Sequence, residues 1–203
     1  MTRLTVAVVV PALDEEGNIA SVVEDTLAQE VDWVLVVDNG STDSTATTAA
    51  LAGAIVVEEP RRGYGYACAA GSEAALDRSA DIVAYVDGDG SSPPDELPEV
   101  LAPIISGDAD LVLGSRALGS VEAGSMGPHQ RWGNRFAAWL TRHRYRVDVT
   151  DLGPFRAIRA DVLAGLDMRE MTFGWPTEMT VKCARAGRRI MEVPVSWRGR
   201  RTG

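Results

Sequence analysis

One lysine, Lys182, together with two cysteines and two histidines, is a thin supply of the side chains most used as amine or thiol nucleophiles and soft metal ligands. Cys68 and Cys183 are too few and too far apart for a disulfide framework or a zinc site, which points to reduced thiols in a cytoplasmic setting. No apolar run approaches the roughly 20 residues that span a bilayer. Met1-Thr-Arg3 and the short run after it lack the length and cleavage pattern of a signal peptide. Repeats, low-complexity tracts and long linkers are missing too, so residues 1–203 are expected to form one domain. Basic residues are outnumbered, and the net charge of -9 disfavours a general nucleic-acid binder, because phosphate backbones attract basic surfaces. Since Lys182 is alone, nearly all positive charge is arginine, and with abundant Ala and Gly this fits coding composition rather than function.

The remainder has the profile of an ordinary globular protein, 45% hydrophobic and 24% charged, long enough to bury a substantial core. Its charge is uneven. From Arg131 onward come most of the arginines, including Arg142, Arg144, Arg146, Arg188, Arg189, Arg198, Arg200 and Arg201. A basic second half facing an acidic first half points to an anionic ligand or surface on one side.

Leu4 to Val10 is an apolar, β-branched run ended by Pro11, as expected of a strand buried on both faces of a parallel sheet. Trp33 to Val37, Ala54 to Val57, Ile82 to Val86 and Leu111 to Leu113 repeat the pattern, with helices predicted between them. This alternation predicts an α/β fold with a mostly parallel central sheet flanked by helices. Beyond it, Ala117 to Gly127 reads as a mobile loop. Trp132, Phe136, Trp139 and Leu140 then place apolar groups on one face of a helix from about Gln130 to Arg142. Phe155 to Ile158 and Arg189 to Val195 read as strands around a helix from Pro176 to Ala186.

Chemistry is expected beyond the carboxyl ends of the strands, where the loops of an open parallel sheet converge. Four polar loops fall there: Pro11 to Asn18, Asp38 to Asp43, Arg62 to Gly65 and Asp87 to Ser91. In the last, Asp87 and Asp89 follow the apolar run Val83 to Val86 directly. Carboxylates are disfavoured in strands and repel each other, so a cation that neutralises them is the simplest explanation, and their oxygens suit Mg²⁺ or Mn²⁺. Gly63 and Gly65 do not make a dinucleotide fingerprint, because Cys68 stands at the third glycine position and the loop follows the third strand.

In order, Pro11-Ala-Leu-Asp-Glu15-Glu-Gly-Asn18-Ile, Val-Val-Asp38-Asn-Gly40-Ser41-Thr-Asp43-Ser-Thr, Gly63-Tyr-Gly65 and Asp87-Gly-Asp89 resemble the motifs of family 2 glycosyltransferases with the GT-A fold, a Rossmann-like sheet. The branch most similar is that of dolichol-phosphate mannosyltransferases and polyprenyl-phosphate glycosyltransferases. Gly114-Ser115-Arg116, Thr150-Asp151-Leu-Gly-Pro-Phe-Arg156 and Glu192-Val-Pro194-Val extend the resemblance over nearly the whole chain. It implies a nucleotide-sugar-binding half, 1–115, and an acceptor-side half, 116–203. Pro11, Leu13 and Glu15 would line the nucleotide pocket, with Asp38 and Ser41 near base and ribose, and Gly40, Asp43, Gly63 and Gly65 in the same donor-binding loops. Asp87 and Asp89 match the DxD motif that holds the cation, with Ser91 as a third ligand where relatives commonly carry Gln. Asn39 replaces a frequent second Asp, and Tyr64 a frequent Lys. Arg116 and Arg131 match the branch's acceptor-phosphate positions.

The resemblance therefore implies an inverting, metal-dependent transfer of a hexose from a GDP- or UDP-linked donor to a polyprenyl phosphate. Such a phosphate arrives ionised, its second ionisation lying near 6, and needs arginines rather than a base. If the acceptor is a hydroxyl, Glu178 or Asp151 would take its proton, with His129 a weaker candidate and His143 on a solvated basic face. A third expectation, from another class, is a nucleotide-sugar-binding protein without turnover. A sugar nucleotidyltransferase is disfavoured, since no basic glycine-rich loop follows the first strand. Without a membrane span, contact with the inner face of the membrane would be peripheral. Arg198-Gly-Arg-Arg-Thr-Gly203 resembles the start of a segment that in relatives runs on into Ser-Lys.

Overall fold

Valine-rich runs pair side by side in the computed structural model, which describes residues 3–122, 124, 128–145 and 147–199, with the side chains of 128–132 and 134–137 left aside. Strands β1 (Val6–Ala12), β2 (Trp33–Asp38), β3 (Ile55–Glu58) and β4 (Ile82–Tyr85) alternate with helices α1 (Ile19–Leu27), α2 (Thr45–Leu51) and α3 (Tyr64–Asp77). A 3-10 turn at Pro94–Glu96 leads into α4 (Leu97–Ile105). Then follow β5 (Leu111–Val121), α5 (Pro128–Tyr145), β6 (Arg156–Arg159), α6 (Ala160–Ala164), α7 (Trp175–Arg185) and β7 (Ile190–Trp197).

The strands form one sheet of order β3-β2-β1-β4-β6-β5-β7. Only β6 among them runs antiparallel to its neighbours, β4 and β5. Helices cover both faces, so successive residues of a central strand are buried on opposite sides. Val6, Val8 and Val10 of β1 join the core under α1 and α4, whereas Ala7 and Val9 join the core under α3 and α7. This double burial is why β1 reads as an unbroken apolar run rather than an alternating one.

Three local expectations change. β1 does not stop at Pro11 but continues in register, Pro11 opposite Val37 and Ala12 opposite Asp38. Nor is 117–121 a loop: β5 runs on to Val121, pairing Ser120 with Ser196 and Val121 with Trp197 after a register shift. Small residues permit this close pairing, since a Cβ on Gly119 would lie 2.0 Å from the Val195 carbonyl oxygen. Lastly, two of the four residues expected on the apolar face of α5 are not buried. Ala138 and Thr141 point inward, while Trp139 and Leu140 are about half exposed; Trp132 and Phe136 fall among the side chains left aside. Arg146, Arg200 and Arg201, and residues 123 and 125–127 of the expected loop, lie outside the described residues.

Asp110 fastens the far edge of the sheet. It accepts the Arg189 N–H at 2.9 Å and two guanidinium bonds from the same residue. That guanidinium holds the carboxyl down at about 2.

α3 lies unusually close to the sheet. A Cβ on Gly71 would meet Val9 Cγ1 at 2.3 Å and Val37 Cγ2 at 2.9 Å. Overpacking of this kind costs roughly 1–3 kcal/mol, against about 1 kcal/mol gained in helix propensity. Gly71→Ala is therefore expected to lower the urea midpoint of unfolding; a midpoint at or above wild type would contradict the close approach.

Candidate active site

The first two loops beyond the sheet are tied together by backbone donors meeting side-chain oxygens. Asp14, in a left-handed conformation at φ 54°, donates its N–H to Ser41 Oγ at 3.0 Å. Its Oδ1 accepts the Thr42 N–H at 2.7 Å. The Glu15 N–H reaches Thr45 Oγ1 at 2.8 Å, the Glu16 N–H reaches Asp43 Oδ2 at 3.1 Å, and the Ser44 N–H returns to Glu16 Oε2 at 2.9 Å. Burial opposes ionisation of Asp43, but the Thr45 hydroxyl and the surrounding N–H groups outweigh it and lower its pKa. Asp38 Oδ1 accepts the Ser41 N–H at 3.1 Å across Gly40, whose φ of 83° suits glycine. Leu13 stays 40% exposed at the lip. Ser41 and Asp43 thus shape the loops as well as lying in them.

Asn39 carries the connection onward. Buried at 5% exposure, it donates from Nδ2 to the carbonyls of Glu59 at 2.9 Å and Arg61 at 2.7 Å. Its Oδ1 accepts the Gly63 N–H at 2.8 Å. An aspartate here could not donate to two carbonyls, so the departure from the family's usual residue has a structural reason. Gly63 and Gly65 are required by packing. A Cβ on Gly63 would lie 2.6 Å from the Met171 carbonyl oxygen, and one on Gly65 would lie 2.4 Å from that of Glu170. The Gly65 N–H donates to Met171 O at 3.1 Å.

Tyr64 links this third loop to the fourth. Its hydroxyl stands 3.4 Å from Asp87 Oδ1, a long contact, and burial pushes its pKa up, so it remains a proton donor toward the carboxylate. Its ring stacks on Phe173 with centroids 6.0 Å apart. In the Asp87-to-Ser91 turn, Gly90 takes φ 74° and a Cβ on Gly88 would come within 3.0 Å of the Pro11 carbonyl oxygen. The turn therefore abuts the end of β1. Asp89 Oδ1 accepts the Ser91 N–H at 2.9 Å. Ser91 Oγ and Ser92 Oγ are buried with no hydrogen-bond partner among the described residues. Among the described residues there is no group of three or more His, Cys, Asp or Glu placed to hold a metal. Two carboxylates and an unsatisfied buried hydroxyl are nevertheless a hard, all-oxygen set. That set fits a cation such as Mg²⁺, which is held by one or two carboxylates and completes its shell with phosphate oxygens.

The second half of the chain is organised differently. Asp151 is fully buried and accepts three bonds from Arg116: the N–H at 2.9 Å, Nε at 2.7 Å and Nη2 at 2.7 Å. The guanidinium also lies 4.7 Å from the Trp197 ring centroid. Glu192 accepts the N–H groups of Thr150 and Asp151 and fixes this segment from below, its own pKa raised by burial. Glu178, in the first turn of α7, accepts the N–H groups of Arg169 at 2.9 Å and Glu170 at 2.8 Å and pairs with Lys182 at 3.0 Å. Burial raises its pKa, but those donors outweigh it and the net shift is downward. Both candidate bases are thus engaged in holding backbone or a guanidinium. Arg131 and His129 lie on α5 among the side chains left aside; His143, as expected, is exposed.

Three residues were given no role by sequence reasoning. Arg156 is 1% exposed and donates to the carbonyls of Gly153, Leu152 and Pro176, joining the Asp151 segment to α7. Its signal was an arginine inside an apolar strand. Asn39 showed only as a departure from pattern. Phe173, 85% exposed beside Tyr64, gave no signal at all.

A mostly parallel sheet with four polar loops gathered at one edge, the last bearing Asp-Gly-Asp, defines a glycosyltransferase of the GT-A fold. The family model for Glycosyl transferase family 2 matches residues 7–166, and the chain belongs to that family. It is 42% identical over 202 residues to an uncharacterised glycosyltransferase of Mycobacterium tuberculosis, covering 98% of this chain and 87% of that one. With the undecaprenyl-phosphate mannosyltransferase of Micrococcus luteus it shares 33% identity over 186 residues, 84% of this chain and 73% of that one. Among solved structures it superposes on glucosyl-3-phosphoglycerate synthase of Mycobacterium tuberculosis with a TM-score of 0.79 at 25% identity, covering 98% of this chain and 73% of that one. That synthase was solved with Mn²⁺, uridine diphosphate and glucosyl-3-phosphoglycerate, and also with Mg²⁺ and uridine diphosphate.

Asn39→Asp tests the bridge between loops. It keeps the shape, removes two donated bonds and buries a charge, so unfolding free energy should fall by about 1–3 kcal/mol. Hydrogen exchange at the Gly63 amide should quicken. Wild-type stability and protection would contradict the bridging role.

Proposed function

We propose that the chain transfers a hexose, with inversion, from a nucleotide diphosphate sugar to a polyprenyl phosphate. Residues 1–115 form the donor half and 116–203 the acceptor half. The observation that carries the acceptor assignment is the engagement of both candidate bases. Asp151 accepts three bonds from Arg116, and breaking a buried pair of this kind costs about 3–5 kcal/mol. Glu178 is held by two backbone N–H groups and Lys182. An acceptor that arrives already ionised asks for neither. The name of the Micrococcus luteus relative, an undecaprenyl-phosphate mannosyltransferase, supports the same reading.

In this account Pro11, Leu13 and Glu15 with Asp38, Gly40, Ser41 and Asp43 receive the nucleoside, and Gly63 and Gly65 bring the third loop against it. Asp87 and Asp89, with Ser91 Oγ, would hold Mg²⁺ or Mn²⁺. When bound, that ion supplies positive charge against the diphosphate that leaves. Tyr64 donates toward Asp87 and limits the directions its carboxylate can take. Asp151 fixes Arg116 through Nε and Nη2, leaving Nη1 to meet an acceptor phosphate, and Arg131 is its companion on α5. No helix among the described residues is long and apolar enough to cross a membrane. A polyprenyl phosphate lies in a membrane, so this reading puts the reaction at the inner face of one, through peripheral contact.

A soluble hydroxyl acceptor is the second reading, favoured by the similarity to glucosyl-3-phosphoglycerate synthase. Glu178→Gln separates the two. With a polyprenyl phosphate acceptor, turnover should stay within about fivefold of wild type, since no general base is removed. General-base catalysis typically contributes 10²–10⁴-fold, so a loss of about 10²-fold or more, with the melting temperature unchanged, would overturn the phosphate reading.

A further inference from the structure

Phe173 stands where an apolar side chain has little reason to be. It is 85% exposed, yet the chain around it is held firmly. Glu170 accepts the Thr172 N–H at 2.9 Å and the Thr172 hydroxyl. Glu178 accepts the N–H groups of Arg169 and Glu170, and the Gly65 N–H binds Met171 O. Gly174, the residue after Phe173, fits only because it has no Cβ, which would lie 2.7 Å from Glu170 Cγ. One face of the ring stacks on Tyr64, interplanar angle 19°, and Tyr64 in turn places its hydroxyl 3.4 Å from Asp87 Oδ1. Two rings in series therefore lead from the fourth loop's first carboxylate to an open aromatic surface.

We propose that Phe173, backed by Tyr64, is the platform on which the donor's hexose rests. This inference builds on the nucleotide-sugar reading above. If the diphosphate is held at Asp87 and Asp89, the two groups attached to it diverge. The nucleoside runs toward Asp38 and Ser41, and the hexose, attached at the diphosphate's other end, must lie within one sugar's reach of Asp87 and Asp89. Phe173 is the exposed aromatic surface anchored to Asp87 through Tyr64. A hexose presents a face of C–H bonds, and the negative face of an aromatic ring attracts such positively polarised hydrogens. Phe173 is a positioning residue here. It makes no bond to the reacting atoms, but it fixes the anomeric carbon relative to the acceptor arginine.

Calorimetric titration in the presence of Mn²⁺ tests this, comparing UDP-glucose and GDP-mannose with UDP and GDP alone. Phe173→Ala should weaken binding of the accepted sugar nucleotide about tenfold and change that of the matching diphosphate less than twofold. Phe173→Trp should restore the difference, and Phe173→Leu, apolar without a π face, should restore it only in part. Exposure of the side chain predicts unchanged melting temperatures. Equal losses for sugar nucleotide and diphosphate, or no loss for either, would overturn the platform. If wild-type protein binds UDP or GDP but no sugar nucleotide more tightly, the donor reading itself falls; if it binds the sugar nucleotide and Phe173→Ala does too, only the platform falls.

Discussion

Carboxylates crowded at one edge of a sheet repel one another, and this site exists because the loops supply each of them with a donor. Asp14 takes the Thr42 N–H, Asp38 the Ser41 N–H, Asp43 those of Glu16 and Thr45, Glu16 that of Ser44, and Asp89 that of Ser91. Asp87 receives the Tyr64 hydroxyl. The bonds of Asp38 and Asp89, and that of Asp43 to Thr45, stay within one loop, but those joining Asp14 to Thr42, Glu16 to Asp43 and Ser44, and Asp87 to Tyr64 cross between loops, so several acidic residues that would drive the loops apart join them. Asn39 completes the set with a neutral amide where donors and an acceptor are both needed. The result is a preorganised acidic edge. Its remaining negative potential suits a divalent cation, and through the cation a diphosphate.

The other half of the chain solves a different problem, how to keep cationic groups in a protein interior. Arg156 is buried against neutral oxygens, from the carbonyls of Leu152, Gly153 and Pro176 and the hydroxyl of Thr180, and burial lowers its pKa. Arg116 is neutralised by Asp151, which Glu192 holds through the backbone. Arg156 bonds to both the Asp151 segment and α7, and Glu178 on α7 bonds to the segment carrying Phe173. Arg116, Asp151 and the segment carrying Phe173 are thus parts of one hydrogen-bonded frame.

How much of this the amino-acid order disclosed follows from the range of the interactions. Strands buried on both faces need apolar residues at every position, so β1, β2 and β4 were legible as runs, and the polar loops after them stood out by contrast. The Gly-Ser-rich stretch after Arg116 looked like a loop because small residues are common in loops. In the folded chain they admit the backbone of β7, a reason visible only once the partner strand is in place. Trp139 and Leu140 have helical spacing, which fixes a face but not the side it turns to. Asp151 and Glu178 looked like free carboxylates for the same reason: their donors, Arg116 and the 169–170 backbone, come from elsewhere in the chain.

The central claim is that four loops and one carboxylate pair form a single metal-dependent site for a nucleotide diphosphate sugar. Its most direct test is thermal unfolding with UDP- and GDP-sugars, with Mn²⁺ or with chelator, on wild type and Asp89→Ala. A ligand at 100 times its dissociation constant stabilises by roughly 2.7 kcal/mol. The account predicts a rise in melting temperature of several degrees for at least one nucleotide sugar with Mn²⁺, absent in chelator and absent in Asp89→Ala. Protection that survives both chelator and Asp89→Ala, or none from any nucleotide sugar, would contradict it.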